Sequence, residues 1–430
     1  MARAGESRGE NGWNLTMEAS MNVTRFRAGA GRNLLRGGLV FLFAWPLCAA
    51  PSPDQAKLVA AHTGFAFELL KELAREQPPK NVFISPYSIS TVLQMVGNGA
   101  GGSTREEMVR VLGTTGLEAR ALNQAYQDLD TSVRSAQSDV VLTIANALWY
   151  SVGIELRPGF ASINRDFYHA TMDALDFTDP RTGGIVNAWV EKNTQGRIKN
   201  IIAGRLPGDT SLLLANAIYF KGTWARKFDP QATKDRPFHL ADGGHKQVPM
   251  MQQSGEFQYQ QGNGCQTVRL PYKGRRLGMY VLLPETGSSA SKLLGTLDGK
   301  AWQDRFLRQM QSRRGNLVLP RFKLEYGAEL KPPLQAMGMK LPFSPAADFS
   351  GMSATPQYLS AVKHKSFVEV NEEGTEAAAA TVAVMRPTSV QPATPPFEMV
   401  ADRPFLFVIA DNLTKAILFT GVVFEPASQP

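Results

Sequence analysis

The chain has 430 residues, a formal net charge of +8 at pH 7 and two cysteines, and 43% of its residues are hydrophobic. That length and apolar content suffice for a large packed core. The basic excess is small for this length, and its clusters at 273–276 and 308–314 are typical of solvated turns, which argues against nucleic-acid binding.

Residues 1–50 differ from the rest and are predicted to be an N-terminal extension with a signal peptide. A basic stretch precedes a short apolar run at 39–45, which ends at Leu47-Cys48-Ala49-Ala50. This order is typical of a secretory signal, and the run is shorter than the roughly 20 residues that cross a bilayer. The alternatives are an interfacial anchor or a buried helix. We expect a secreted or periplasmic protein with no membrane association beyond this peptide.

Residues 51–430 are predicted to form one domain, since no Gly/Ser tract, acidic run or repeat divides them. Cleavage after Ala49 or Ala50 would leave Cys265 as the one cysteine of the mature chain, so an internal disulfide is excluded. Residues 1–50 carry six basic and three acidic residues, so the mature chain carries +5.

Apolar spacing predicts helices at 54–75, 88–96, 185–193, 293–310 and 327–337. A further helix is expected to begin at a cap formed by Ser103 and Thr104. Residues 140–150 and 211–220 are almost entirely apolar, which predicts strands buried on both faces.

The C-terminal half favours short strands joined by turns. Residues 267–272 and 277–283 predict a hairpin, and further strands are expected at 317–319, 405–410 and 416–423. Mixed helices and strands with late antiparallel hairpins favour the α+β class.

None of the motifs that would indicate an enzyme or a cofactor site is supported by the sequence around it. The stretch GNGAGG at 97–102 fits the G-x-G-x-x-G pattern, but a predicted helix and not a strand precedes it. The nucleophile elbow and the P-loop motif do not occur. The five histidines are scattered and no cysteine pair exists, so we expect neither a metal site nor a cofactor. His364, in an apolar stretch, is by default a hydrogen-bonded core residue.

The most unusual stretch is EEGTEAAAATVAV at 372–384. Its first part favours helix and its last part favours strand. As a strand, one face from Thr375 to Ala383 is small and uncharged, so it could enter a sheet without burying a charge. The following PTSVQPATPP at 387–396 predicts an exposed loop. From composition alone, an alanine-rich helix with a linker and a mobile strand both remain open.

Five segments resemble motifs of the serpin family in the right order, from about residue 54 to the end. They are NVFISPYSI at 81–89, NAWVEKNTQGRI at 187–198, ANAIYFKGTW at 215–224, EEGTEAAAAT at 372–381 and DRPFLF at 402–407.

The resemblance implies three β-sheets, eight or nine helices and an exposed reactive loop at about 372–396. It also implies suicide inhibition by a monomer: a serine protease, or a cysteine protease that forms an acyl-enzyme, cleaves the loop. The cut loop then inserts into the central sheet. Inhibition is favoured over a non-inhibitory carrier or chaperone because the hinge is small and lacks proline. A hydrolase would lack every usual motif.

The resemblance also assigns roles to residues. It places a polar cluster beneath the opening of the central sheet, the shutter: Ser85, Ser88, Asn216 and His364. It places Trp224 and Arg321 at the top of the opening, the breach, with Arg321 as the partner of Glu372. The hinge comprises Glu372, Gly374, Thr375, Glu376, Ala377, Ala378, Ala379 and Ala380.

The scissile bond is placed between Thr388 and Ser389 by counting from the hinge. Counting back from Pro404 gives a site near Ala393, so this loop is longer than the common pattern. The residues that stay open as alternatives are Met385, Arg386 and Val390. Because a proline follows Arg386, an elastase- or subtilisin-like target is favoured over a trypsin-like one.

Overall fold

The computed structural model describes residues 52–75, 80–138, 140–375 and 395–426. Within them lie nine α-helices: α1 Pro53–Arg75, α2 Pro86–Gly97, α3 Gly102–Val111, α4 Ala119–Arg134, α5 Pro158–Tyr168, α6 Thr182–Asn193, α7 Ala290–Gly295, α8 Gly299–Ala301 and α9 Lys331–Ala336. Short 3₁₀ turns span Ser135–Ser138, Pro230–Ala232 and Leu341–Phe343, and a π-turn at Trp302–Leu307 follows α8.

The same residues contain fifteen strands: β1 Val82–Ile84, β2 Val140–Ser151, β3 Thr171–Leu175, β4 Leu212–Thr223, β5 Lys234–His239, β6 His245–Gly262, β7 Cys265–Pro271, β8 Leu277–Pro284, β9 Gln311–Pro320, β10 Phe322–Glu329, β11 Leu359–Val370, β12 Gly374–Thr375, β13 Phe397–Val400, β14 Phe405–Asp411 and β15 Ile417–Val423.

The strands confirm the predicted α+β fold. One sheet, called the central sheet below, has the order β10-β11-β4-β2-β3, with β12 added on β4. The other strands run in the order β1-β15-β14-β8-β7-β6-β9-β13, with β5 on β6. The long strand β6 joins two of the three predicted sheets, because its first part pairs with β5 and its last part with β7.

The central sheet separates two apolar cores, and β4 contributes to both. Its even-numbered apolar residues from Leu212 to Phe220 join the main core, which α1, α2 and α4 also line. Its odd-numbered residues from Leu213 to Tyr219 join a second core, to which α6 contributes Val186 and Val190. This alternation follows from the period of two in a strand. It explains why the sequence of β4 is almost continuously apolar.

Helix α2 is the most deeply placed helix, since all of its residues are buried. Ser85 caps its N-terminus by accepting a hydrogen bond from the backbone N–H of Ser88, and Pro86 occupies its first turn. Proline suits that position because the first backbone N–H groups of a helix have no partner within the helix. The helix therefore begins at a fixed point directly beneath β4.

Several local predictions were wrong. The helix expected at 293–310 is interrupted, because the Asp298 side chain accepts from the N–H of Ala301 (2.6 Å) and starts a new helix there. The first part of the helix expected at 327–337 instead extends β10, which pairs with β11 as far as Glu329. Two prolines then confine α9 to a start at Lys331.

Two further predictions were wrong: the helix cap at Ser103, and the burial of β2 on both faces. Helix α3 begins after Gly101, whose N–H donates to the Asp348 carbonyl at 2.9 Å, so a tertiary contact sets the start. Strand β2 is not covered throughout, since Val141 is 40% exposed.

One tight contact fixes the strand that follows the predicted loop. A Cβ at Gly315 of β9 would lie 2.2 Å from the Phe397 ring of β13, and that ring stacks on Tyr259 at 3.8 Å between centroids. We predict that Gly315→Ala lowers stability by about 1–3 kcal/mol through overpacking, measured by denaturant unfolding. Gly295→Ala is the matched control, because no atom lies within 4 Å of its added Cβ. Equal effects of the two substitutions would contradict this account.

Candidate functional site

The hinge leaves the central sheet at a gap between β4 and β11. The two strands are parallel, and their ladder ends at the pair Phe367 and Tyr219. Beyond that pair, Gly374 and Thr375 form β12 and pair antiparallel with Thr223 and Gly222 of β4. The first two residues past the turn thus already occupy a strand position beside β4.

Backbone hydrogen bonds hold the hinge against the turn that follows β4. The N–H of Trp224 donates to the Glu373 carbonyl, and the N–H of Phe228 donates to the Glu372 carbonyl, each at 2.9 Å. Trp224 is 3% exposed, its ring stacks on Tyr272 at 4.6 Å, and its Nε1–H donates to the Asn371 carbonyl. The predicted breach residue is therefore packed directly against the base of the hinge.

Glycine is required at position 374. Its φ is +148°, and an added Cβ would lie 2.1 Å from the Gly222 carbonyl oxygen. Residues with a side chain rarely adopt that backbone conformation, and the obstructing atom is backbone. The glycine allows the chain to turn from β11 into contact with β4.

Two neighbouring acidic residues at the base of the hinge are each paired with a cation. Glu372, almost fully buried, accepts two hydrogen bonds from Arg321 Nε at 2.7 and 2.8 Å, and also contacts Arg321 Nη2 and the Thr233 hydroxyl. Glu373 forms an ion pair with Lys227. The pairing of Glu373 was missed, because nothing in the local sequence indicates that the turn after β4 lies against the hinge.

The side chains of the four predicted shutter residues meet on the α2 side of the central sheet, and all four residues are buried. His364 Nδ1 donates to Asn216 Oδ1 at 2.6 Å, and the N–H of Ser85 donates to His364 Nε2 at 3.4 Å. Asn216 Nδ2 donates to Ser88 Oγ. These contacts connect β11, β4 and α2, so a single polar cluster spans the boundary between β4 and β11.

A fifth member of the shutter cluster, Asn146 of β2, was missed. It lies directly opposite Asn216, accepts from Asn216 Nδ2 at 2.6 Å and accepts from Ser88 Oγ at 3.1 Å. A signal was available, because β2 and β4 each carry the sequence Ala-Asn-Ala inside an apolar strand. A lone asparagine at a buried strand position needs a hydrogen-bond partner.

His364 is neutral, since one ring nitrogen donates and the other accepts. Burial lowers the pKa of His364 from its ordinary 6.5 to about 3. His62 of α1 is also fully buried, contacts Tyr126 Oη at 2.9 Å, and has its pKa lowered by burial to about 3. Both side chains oppose protonation because a charge would be removed from water.

Part of the predicted site lies outside the described residues. These are the hinge residues from Glu376 to Ala380 and every candidate for the reactive bond: Met385, Arg386, Thr388, Ser389 and Val390. In the part of the chain that the structure describes, no three His, Cys, Asp or Glu side chains are grouped to hold a metal ion. Among the helices of those same residues, none has both the length and the apolar character of a membrane span.

The two buried histidines predict a loss of stability in acid. Since their pKa values are lowered on folding, the unfolded chain binds more protons below pH 6.5, and stability falls from about pH 6.5 down to about pH 3. Each contributes up to about 1.4 kcal/mol per pH unit. We predict that His364→Gln removes about half of the pH slope of the unfolding free energy between pH 6 and 5. His245→Gln, at an exposed position, is the control; an unchanged slope in His364→Gln would contradict the assignment.

Comparison with known proteins identifies the family. The family model described as Serpin (serine protease inhibitor) matches residues 60–426. A serpin-like protein of Thermococcus kodakarensis is 39% identical over 377 residues, 87% of each chain. Leukocyte elastase inhibitor of Bos taurus is 37% identical over 383 residues, 86% of this chain and 100% of the relative.

Solved structures agree with the sequence comparisons. Human thyroxine-binding globulin with bound thyroxine has a TM-score of 0.79 at 28% identity, covering 87% of this chain and 100% of that one. Mouse protein-Z dependent protease inhibitor has a TM-score of 0.78 at 25% identity, covering 87% and 98%. The family consists in general of inhibitors of serine proteases rather than catalysts. This chain belongs to the serpin family.

Proposed function

We propose that this protein is a suicide inhibitor of serine proteases that acts by inserting its cleaved loop into the central sheet. One observation carries the proposal: Gly374 and Thr375 already pair with β4 at the top of the gap between β4 and β11. A strand that begins there and continues downward would lie antiparallel to both β4 and β11. Antiparallel pairing is the arrangement that the short turn after β11 allows, because a parallel strand would need a long crossover connection.

The chemistry up to the acyl-enzyme belongs to the protease. Its serine Oγ attacks the carbonyl carbon of the scissile residue, the peptide C–N bond breaks, and the new amino terminus leaves with the proton. The acyl-enzyme ester would normally be hydrolysed by water. The cut loop, still esterified to the protease, instead enters the central sheet and carries the protease with it. Displacement of the protease then prevents water from completing the reaction.

The residues of the loop fit insertion. If β12 is extended as a strand, the face that contains Thr375, Ala377, Ala379 and Thr381 carries no charge. That face would cover the core below the sheet without the cost of burying an ion. Glu376 falls on the opposite face.

The target proposed is elastase- or subtilisin-like, with cleavage between Thr388 and Ser389 and with Met385, Arg386 and Val390 as the alternatives. The similarity to a relative named leukocyte elastase inhibitor supports this target class. Cysteine proteases that form acyl-enzymes belong to the same proposal. We also propose that the protein acts as a monomer.

A second candidate function is that of a non-inhibitory carrier. Its support is the structural similarity to thyroxine-binding globulin. The small hinge without proline favours inhibition, because a carrier has no need for an insertable strand.

Residues 1–50 are proposed to be an N-terminal extension with a signal peptide, and residues 51–430 the inhibitory domain. This arrangement would export the protein to the periplasm or the medium. It is consistent with a mature chain that lacks disulfides and is stabilised by its core.

The test is covalent capture. The mature protein is incubated separately with subtilisin, elastase, chymotrypsin and trypsin, and denaturing gels are combined with mass spectrometry of the released C-terminal fragment. We predict a band at the summed mass with elastase or subtilisin, absent when the protease serine is blocked beforehand. Thr375→Arg should abolish the band while cleavage continues, because insertion would bury a charge. Glu376→Ala, on the opposite face, should retain it.

Cleavage of the wild-type loop by every protease without a covalent band, with full protease activity remaining, would overturn the inhibitor proposal and favour the carrier. A fragment that begins at Pro387 would contradict the proposed target class, since it would show cleavage after Arg386.

A further inference from the structure

We propose that Tyr219 and Phe367 form an aromatic gate that sets the rate at which the central sheet opens for the loop. This inference rests on the proposed function and names the positioning residues of its conformational step. The gate is defined by these two side chains, one on β4 and one on β11.

The topology of the sheet makes this pair the first obstacle to insertion. The β4–β11 ladder ends at Tyr219 and Phe367, and above it β4 pairs with β12. Above the same point, β11 remains paired with β10 through Val370. A strand that extends β12 downward must therefore separate Tyr219 from Phe367 before any lower pair is broken.

The two side chains touch across that boundary. Their ring centroids are 5.9 Å apart with an interplanar angle of 33°. Tyr219 is 2% exposed, and both rings lie against the second core, on the α6 side of the sheet. An aromatic pair of this kind contributes more than its buried area alone. Separating the backbones of β4 and β11 at this point therefore also breaks the contact between the two rings.

Each ring of the pair also contacts a cation. Arg197, in the segment after α6, lies with its Cζ 5.5 Å from the centroid of Tyr219. Lys323 of β10 lies with its Nζ 5.5 Å from the centroid of Phe367. Such contacts orient the rings. When the strands part, Lys323 stays with Phe367 because β10 and β11 remain paired, whereas the contact between the two rings is lost.

The gate and the shutter resist opening at different depths. The shutter residues Asn216 and His364 are themselves a pair in the same ladder, three positions below the gate. The gate contact is present in the closed sheet and lost once the strands part at the top. Its removal should therefore speed opening, because it stabilises the starting state and not the open one.

The test measures entry of a strand without a protease. A synthetic peptide that copies residues 375–386 is added to the intact protein, and the rate of complex formation is followed by native gel electrophoresis. We predict that Phe367→Leu and Tyr219→Leu each raise this rate about 3- to 10-fold, the range of an aromatic pair's contribution. The double variant should be no faster than the faster single variant, since both remove the same contact. Tyr219→Phe keeps the ring–ring contact and should insert more slowly than Tyr219→Leu.

Tyr150→Leu is the matched control for general loosening. Tyr150 is a half-buried ring at the far end of β2, paired with Leu212 of β4 and away from β11. We expect it to lower the thermal unfolding midpoint while it leaves the insertion rate within 2-fold of wild type. An equal acceleration by Tyr150→Leu, or no acceleration by Phe367→Leu, would overturn the gate.

The outcomes separate the gate from the proposed function. Peptide insertion into the wild type with unchanged rates in the gate variants would remove the gate and leave the inhibitor mechanism intact. Failure of the peptide to insert into any form of the protein would remove both.

Discussion

The boundary between β4 and β11 is the part of the structure on which the rest depends. Two parallel strands meet there along a backbone ladder, and the side chains that cross it include one buried polar pair, His364 with Asn216, and one aromatic pair, Tyr219 with Phe367. Below lies α2, whose burial fixes Ser85 and Ser88 against the strands. On the α6 side of β4, Ala215 and Ala217 have small side chains. They therefore offer little packing surface to the side chains of β11.

The hinge lies at one end of that boundary. Gly374 turns the chain back into contact with β4, and the pairing of Glu372 with Arg321 fixes where the turn begins. The carboxylate of Glu372 is buried, which costs desolvation free energy. The ion pair with Arg321 offsets that cost, whereas an unpaired buried carboxylate would be strongly destabilising. In the proposed mechanism, opening starts at the top of the gap and proceeds downward through the aromatic pair and then the polar cluster. Under that proposal, the sheet remains closed until a free strand end becomes available.

Sequence alone located the buried strand at 211–220, because its apolar run belongs to a strand with a core on both faces, and it located α1 and α6 from their apolar spacing. Prediction from sequence failed where a contact with a residue far away in the chain determines the local structure. Asp348 sets the start of α3, and pairing with β11 converts 327–329 into strand. Roles at the candidate site came from family resemblance and not from spacing. The partners of Asn146 and Lys227 lie 70 and 146 residues away in the chain. Asn146 left a signal in the sequence, the Ala-Asn-Ala run that β2 shares with β4, whereas Lys227 left none.

The central claim is that the central sheet of the intact protein is incomplete and that the cut loop completes it. The most direct measurement compares the thermal unfolding midpoint of the intact protein with that of the protein cleaved once inside residues 385–393. The account predicts a higher midpoint after cleavage, because the freed strand enters between β4 and β11, replaces their ladder and gains backbone pairing on both sides. An unchanged or lower midpoint, the ordinary result of nicking an exposed loop, would contradict it.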